Sequence, residues 1–218
     1  MRLRGEGPLS GGDGGDRIAL VATVLLALAT VATAWSGYQA SRWSGEATKA
    51  TMKGTAARLE STRASNLANA QAQVDVAVFT QWVDAYANGE TRLRDFYFER
   101  FRKEFKPAVV AWLATKPIEN PNAPLTPFAM PQYRSAARAD AARLETQADE
   151  WAARSRRNIQ RSTNYVLGVV LFAAALFFAG MSTKLPSRGL RVAMLAIGTV
   201  VFLATLAWIA TSPVSVSV

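Results

Sequence analysis

The sequence predicts an all-α membrane protein with three transmembrane helices and a helical-hairpin or coiled-coil-like extramembrane domain between the first two. Three blocks without a charged residue carry this prediction: 18–41, 162–183 and 192–218. Each block contains an apolar core of about 20 residues, the length that a helix needs to cross a bilayer. Strands of a membrane barrel would instead give short alternating segments. We therefore place the three transmembrane spans at 18–36, 164–182 and 190–211.

The charge balance and the missing residue types restrict the function. The 218 residues include 25 Lys and Arg against 16 Asp and Glu, a net charge of +9, and neither Cys nor His. Zinc sites of the usual kind, thiol nucleophiles, disulfides and imidazole bases are therefore excluded. Without a phosphate loop or a nucleophile motif, we expect no catalytic residue, metal or cofactor. Excess basic charge in a membrane protein usually reflects topology and anionic headgroups, so we expect no nucleic-acid partner.

The N-terminal region predicts a tail followed by the first span. Residues 1–17 are rich in glycine and carry charges of both signs, which is typical of a disordered tail. A rival interpretation treats 18–36 as a signal peptide, because Ala32 to Ala34 fits an A-x-A cleavage site after a short apolar run. The interpretation as a span is favoured by Trp35 and Trp43, which suit the membrane–water interface and continue the helical pattern.

The segment 37–163 predicts a helical extramembrane domain, and its first helix covers 44–88. This helix is rich in alanine and contains no proline, and apolar residues recur in steps of three and four along one face. That face consists of Met52, Ala56, Leu59, Leu67, Ala70, Val74, Val78 and Trp82. Asn88 and Gly89 form a good helix end.

Two further helices and a connector complete the predicted domain. The second helix covers 90–115, and Pro107 should bend or divide it. Residues 116–131 hold five of the nine prolines, which predicts an extended connector. The third helix covers 132–163, and its apolar stripe continues into the second span. This continuity predicts a single helix that passes from the domain into the membrane.

The second and third spans predict a hairpin around the short basic turn at 183–189, and a tail follows at 212–218. Small residues in the spans permit close packing of helices. They are Ala29, Thr33, Gly37, Gly168, Ala175, Ala179 and Gly180. Packing within one chain and packing between copies of the chain explain these residues equally well.

The basic residues predict the orientation in the membrane. Short loops have the greatest weight in the positive-inside rule, and the short turn carries Lys184 and Arg188. The turn and the N-terminus are therefore expected in the cytoplasm, and the helical domain outside. Four arginines directly before the second span favour the opposite orientation: Arg154, Arg156, Arg157 and Arg161.

The same four arginines are a candidate site for anionic lipid headgroups. A basic residue near an anionic membrane surface contributes about 1 kcal/mol of attraction. The alternative is that the cluster is only a topology signal or a solvated helix face. Because the cluster lies next to a span, both interpretations stay open.

Aromatic residues concentrate around the predicted turn at 88–89. They are Phe79, Trp82, Tyr86, Phe96, Phe98, Phe101, Phe105 and Trp112. They could form a recognition patch for a partner at the membrane-distal tip, or the core that holds the first two helices together. Aromatic rings supply much of the buried area in such cores, so the core is the favoured interpretation.

Two carboxylates lie among apolar residues of the first helix, Asp75 and Asp84. A pair of carboxylates can perform acid–base chemistry without histidine. Nine residues apart on one helix, however, the two side chains point in opposite directions, so they cannot cooperate. We expect a solvated or ion-paired role for each of them.

Several segments resemble a group of uncharacterised bacterial membrane proteins. They are Trp35–Ala40, Phe79–Tyr86, Phe101–Phe105 together with Ala111–Ala114, and Pro127–Pro131. The resemblance covers most of the chain between the first span and residue 183. It implies the bacterial inner membrane and a shared architecture, and it supplies no catalytic residues.

The leading hypothesis is a non-enzymatic integral membrane protein that uses its helical domain for assembly, scaffolding or sensing. Besides the lipid bilayer, its expected partner is a second copy of the chain or another protein. The alternative is an oligomeric channel or transporter subunit. Against this alternative, the charge-free blocks that form the spans contain none of the residues that proton relays and coupled transport use, and Arg191 lies at the very edge of the third span.

Overall fold

The structure, a computed structural model, describes residues 13–215, and all of its secondary structure within that range is helical. There are five α-helices and one short 3₁₀ helix: α1 (Asp13–Ala87), α2 (Thr91–Glu99), α3 (Lys106–Ala114), the 3₁₀ helix Pro127–Ala129, α4 (Ala136–Ser182) and α5 (Arg188–Ala210). The predicted all-α class is confirmed. Helices α1, α4 and α5 are each long and apolar enough to cross a membrane, which is consistent with a multi-pass membrane protein.

The helix bounds differ from the predicted ones in three places. Helix α1 already begins at Asp13, inside the segment assigned to a tail; residues 1–12 of that segment lie outside the described residues. The helix predicted at 90–115 is two helices, with a break between Glu99 and Lys106. Pro107 lies in the first turn of α3. A backbone N–H in the first turn has no acceptor within the helix, so proline costs no hydrogen bond at this position. Helix α4 begins at Ala136 and runs without a break through the second apolar segment.

The chain divides into two compact units. We call Met1–Thr51 together with Ala153–Val218 the bundle unit, and Met52–Ala152 the middle unit. Helices α1 and α4 each supply residues to both units, whereas α2 and α3 belong to the middle unit and α5 to the bundle unit.

The bundle unit is packed around small residues. Ala22 and Ala29 of α1 and Ala175 of α4 have no exposed surface, and they lie in one core with larger side chains such as Phe172. A Cβ atom built on Gly198 of α5 would lie 3.2 Å from the carbonyl oxygen of Ala175. Small side chains therefore allow the backbones of α4 and α5 to approach each other closely.

Within the middle unit, five buried positions of α1 recur every seven residues. They are Gly54, Ser61, Ala68, Asp75 and Trp82, and Ala57, Phe79 and Ala85 are buried beside them. This spacing keeps one narrow stripe of a helix against its neighbour over many turns. At its start the stripe is made of small residues: a Cβ atom on Gly54 would lie 3.3 Å from the Cβ atom of Trp151 on α4.

The apolar face predicted for this helix is largely wrong. Met52, Leu59, Leu67 and Val74 are 66, 52, 54 and 54% exposed, and of the predicted face only Trp82 is fully buried. The prediction followed the large apolar side chains. The packed stripe instead uses small residues, because these let α1 and α4 come close together.

Candidate functional site

Aromatic rings form the core of the middle unit. Phe79, Trp82, Phe101 and Phe105 are buried in one cluster with Val109. The remaining predicted aromatics lie at its edge or outside it. Phe98 and Trp112 are half-buried against the cluster, whereas Tyr86 and Phe96 are exposed.

The segment between α3 and α4 contributes two rings that were not predicted to join this cluster, Phe128 and Tyr133. The ring of Phe128 stacks on Phe105 with 4.8 Å between the ring centroids, and Tyr133 meets Phe105 edge to face at 5.5 Å. Trp112 donates a hydrogen bond from Nε1 to the carbonyl oxygen of Pro124 at 2.6 Å, which ties the connector to α3. The sequence signal that could have indicated a buried ring at Phe128 was its position between the two prolines of the Pro127–Pro131 segment.

A buried carboxylate lies beside this core. Asp75 is 2% exposed and accepts two hydrogen bonds from the guanidinium of Arg102, at 3.0 Å on Oδ1 and 3.1 Å on Oδ2. The hydroxyl of Tyr133 donates a third hydrogen bond to Oδ2 at 3.0 Å. A planar guanidinium that meets a carboxylate with two parallel bonds is the strongest form of ion pair in proteins. The pair joins α1 to the segment between α2 and α3.

The network extends to the start of α4. Arg102 also forms an ion pair with Glu104 at 3.0 Å, and the other oxygen of Glu104 accepts the backbone N–H of Ala136 at 3.3 Å. The hydrogen bond to Asp75 raises the pKa of Arg102. Partial burial, together with its hydrogen bond to Asp75, raises the pKa of the Tyr133 hydroxyl.

This network has the geometry of a structural clamp. Every hydrogen-bond partner of the Asp75 carboxylate is a side chain of the middle unit. Asp84 is exposed and lies on another face of α1, as the spacing predicts. The two carboxylates therefore cannot act on one substrate. Among residues 13–215, no cluster of His, Cys, Asp and Glu could hold a metal ion.

A second polar cluster lies in the bundle unit and holds the segment that follows α5. The carbonyl oxygen of Pro213 accepts hydrogen bonds from Trp43 Nε1 at 3.1 Å and from the Tyr165 hydroxyl at 3.2 Å. The side-chain amide of Gln39, which is completely buried, bonds both backbone groups of Ser215. We call these residues the C-terminal anchor. It satisfies backbone groups that have no partner in regular secondary structure.

The four arginines that were predicted to contact lipid headgroups precede the C-terminal anchor on α4, and Arg161 is one helical turn before Tyr165. Arg161 lies over the ring of Trp43, with 4.5 Å between its guanidinium carbon and the ring centroid, which is a cation–π contact. Arg154, Arg156 and Arg157 are exposed along the preceding turns of α4. Arg161 also donates a hydrogen bond from Nη1 to Oδ1 of Asn158 at 3.5 Å and is half-buried.

Comparisons of the chain with protein-family models, with curated proteins and with solved structures give no match.

Proposed function

We propose that this chain is a non-enzymatic integral membrane protein of the bacterial inner membrane that acts in assembly, scaffolding or sensing. Three apolar helical segments anchor it in the bilayer, with the basic turn between α4 and α5 in the cytoplasm. The middle unit stands outside the membrane and makes the functional contacts. Both carboxylate oxygens of Asp75 accept hydrogen bonds from Arg102 or Tyr133, so the network offers no free acid or base. This arrangement supports a non-catalytic role.

One observation carries the proposal for assembly. Outside the packed stripe of the middle unit, α1 exposes four large apolar side chains: Met52, Leu59, Leu67 and Val74. Exposed apolar residues along one face of a helix in water usually mark an interaction surface. A second copy of the chain, with the same face, would bury these residues in a symmetric contact.

The arginines on the α4 part of the bundle unit support a second contact, with anionic lipid. Arg161 is held on the Trp43 ring, and tryptophan is enriched at the level of the membrane headgroups. Exposed guanidinium groups at this level would bind phosphate oxygens. This contact would fix the depth of the chain in the bilayer rather than provide an activity.

Cross-linking in native membranes tests the assembly proposal, and the natural absence of cysteine simplifies it. Leu59→Cys and Leu67→Cys each place one thiol on the exposed face, and Asn69→Cys places one on an exposed polar position that is not a helix-surface neighbour of either residue. Mild oxidation should give disulfide-linked dimers with the first two variants and little with the third.

Equal cross-linking at all three positions, or none, would remove the basis for self-association through this face. A flux assay in liposomes with the purified full-length chain separates the proposal from the alternative. Ion-selective flux that depends on the chain would favour the oligomeric channel.

A further inference from the structure

The bundle unit contains an open groove of about 480 Å³ between α1 and α5. Its apolar walls come from Ile18 and Val21 of α1 and from Val192, Ala196 and Val200 of α5. The groove also contains the hydroxyl of Thr199, which donates a hydrogen bond to the carbonyl oxygen of Leu195 within α5 at 2.8 Å. The walls therefore fit a hydrocarbon chain better than a polar molecule.

The groove lies where the apolar segments of the two helices begin. Residues 18–41 and 192–218 carry no charged side chain, and the groove starts at the first residues of both segments. On α1, Leu20 and Val24 beside the groove are 65 and 50% exposed, as expected for side chains that face lipid. At the membrane location proposed above, the acyl chains of lipids surround this groove.

Basic side chains lie at the end of the groove where both apolar segments begin. Arg17 lines the groove and is exposed. Arg188 is also exposed, and it precedes Val192 by four residues, which places it on the same face of α5 one turn beyond the groove. A guanidinium carries several N–H donors in a planar fork, so it can bind phosphate oxygens and keep other contacts as well.

The net charge at this end of the bundle unit is positive among the described residues. The basic residues there are Arg17, Lys184, Arg188 and Arg191, and the acidic ones are Asp13 and Asp16. An apolar groove with an excess of positive charge at its mouth is complementary to a molecule that has a hydrocarbon chain and a negative head.

We propose that this groove binds a phospholipid whose headgroup has a net negative charge. One acyl chain lies between α1 and α5, and Arg17 and Arg188 bind the phosphate. An acyl chain gains little by leaving other lipid chains for the groove, so the two arginines select the lipid. The inference rests on the proposed membrane location, but on neither the orientation nor self-association. The site is separate from the arginines at the other end of the α4 span.

Photolabelling tests the headgroup preference at the groove itself. The full-length chain is reconstituted in phosphatidylcholine vesicles that contain a trace of phosphatidylglycerol or phosphatidylcholine, both with the same diazirine-bearing acyl chains. Labelling of the groove is divided by labelling of Phe177, which is 62% exposed near the end of α4 that leads into the basic turn. This ratio should be higher for phosphatidylglycerol, by about fivefold for each arginine, and added salt should reduce the preference.

Charge variants test the role assigned to the two arginines. Arg17→Gln and Arg188→Gln should each remove about fivefold of the preference for phosphatidylglycerol and leave the labelling by phosphatidylcholine unchanged. Lys184→Gln is the matched control, because it removes an exposed charge of the basic turn that does not line the groove. It should leave the ratio of groove labelling to Phe177 labelling unchanged.

A second pair of variants tests the place of the acyl chain. Ala196→Phe fills the groove and should lower the labelling of Val21 and Val200 by both lipids. Ala193→Phe adds the same ring at an exposed position of α5 that does not line the groove, and it should leave this labelling unchanged.

Equal ratios for the two lipids, or a preference that both arginine variants leave intact, would overturn the proposal. Groove residues that neither lipid labels would also overturn it, because a second copy of the chain or another segment would then cover the groove. An alkaline wash of the vesicles tests the membrane location separately. A chain that is washed off contradicts that location, whereas a chain that stays in the vesicles without the lipid preference contradicts the groove site alone.

Discussion

The bundle unit brings its helices together through alanine and glycine, whereas the core of the middle unit is built from aromatic rings beside a buried ion pair. In the bundle unit, Gly198 lies against the backbone of α4, and Ser162 donates a hydrogen bond to the carbonyl oxygen of Ala40 at 2.9 Å. In the middle unit, Phe105 is completely buried among other rings, and Asp75 pairs with Arg102.

Each form of packing suits a different solvent. Apolar side chains gain nothing by leaving lipid for one another, so helices in a bilayer associate through close backbone contact and hydrogen bonds. In water, burial of large aromatic surface drives association, at about 25 cal/mol for each Å² removed from solvent. Small residues also bring α1 and α4 together at Gly54 of the middle unit, so the contrast concerns the two cores. The aromatic core has the composition that water drives together, and the alanine and glycine contacts of the bundle unit are the kind that helices make in lipid. Four variants test this comparison.

The largest effect is expected at the buried carboxylate. Asp75→Ala leaves Arg102 with only Glu104 and should destabilise the middle unit by about 3–5 kcal/mol. Denaturant unfolding followed by tryptophan fluorescence measures this. Asp84→Ala, at an exposed position on the same helix, is the matched control and should cost less than about 0.5 kcal/mol. If Arg102→Leu is added to Asp75→Ala, part of the loss should be recovered. Equal effects of the two single substitutions would show that the clamp contributes no stability.

The second effect tests close packing in the bundle unit. In Gly198→Leu, the new side chain meets backbone atoms of α4, which cannot move aside, and we expect a loss of about 1–3 kcal/mol. Gly180→Leu is the control, because a Cβ atom there has nothing within 4 Å. Thermal unfolding in bicelles compares the two. The close-packing interpretation fails if Gly180→Leu is the more damaging of the pair.

The third prediction concerns pH. Because the pKa of Tyr133 is raised in the folded protein, its hydrogen bond stabilises the middle unit below about pH 10 and is lost as the pH rises further. Tyr133→Phe should therefore cost about 1.5 kcal/mol at pH 8 and progressively less as the pH rises above about 10. Denaturation curves at several pH values measure this difference. A cost that stays constant over this range would contradict the role of the phenol; Tyr86→Phe is an exposed control.

The smallest effect is expected at the C-terminal anchor. Trp43→Phe and Tyr165→Phe each remove one of the two donors to Pro213 and should each cost about 1 kcal/mol or less. A spin label at residue 214 should become measurably more mobile when both substitutions are combined. Trp35→Phe removes an exposed ring and should leave the label unchanged. An immobile label in the double variant would mean that Gln39 alone holds the segment.

Local patterns predicted part of this structure well. The three apolar segments, the division near Pro107 and the opposite positions of Asp75 and Asp84 all depend on residue types and spacing within one helix. Part of the aromatic cluster could be recognised because large rings bury much area and several of them lie close together in the sequence, although Tyr86 and Phe96 of the predicted group are exposed.

Other features depend on contacts that no local pattern encodes. The partners of Asp75 are 27 and 58 residues away in the sequence, and Gln39 is 176 residues from Ser215. The face of α1 was assigned incorrectly because small residues give a weak signal in hydropathy even where they make the closest helix contacts. Met52 and Leu59, which gave the stronger signal, are exposed.

The most direct test of the central claim is the accessibility of single cysteines on intact bacterial cells. Asn122→Cys lies on the exposed connector of the middle unit, and Thr183→Cys lies on the exposed turn between α4 and α5. Ser187 is a poorer choice for the turn, because its hydroxyl caps α5. A membrane-impermeant maleimide should label residue 122 and not residue 183, with the middle unit in water outside the cell. Labelling at 183 and not at 122 would reverse the orientation, and labelling of neither site in lysed cells would contradict an aqueous middle unit.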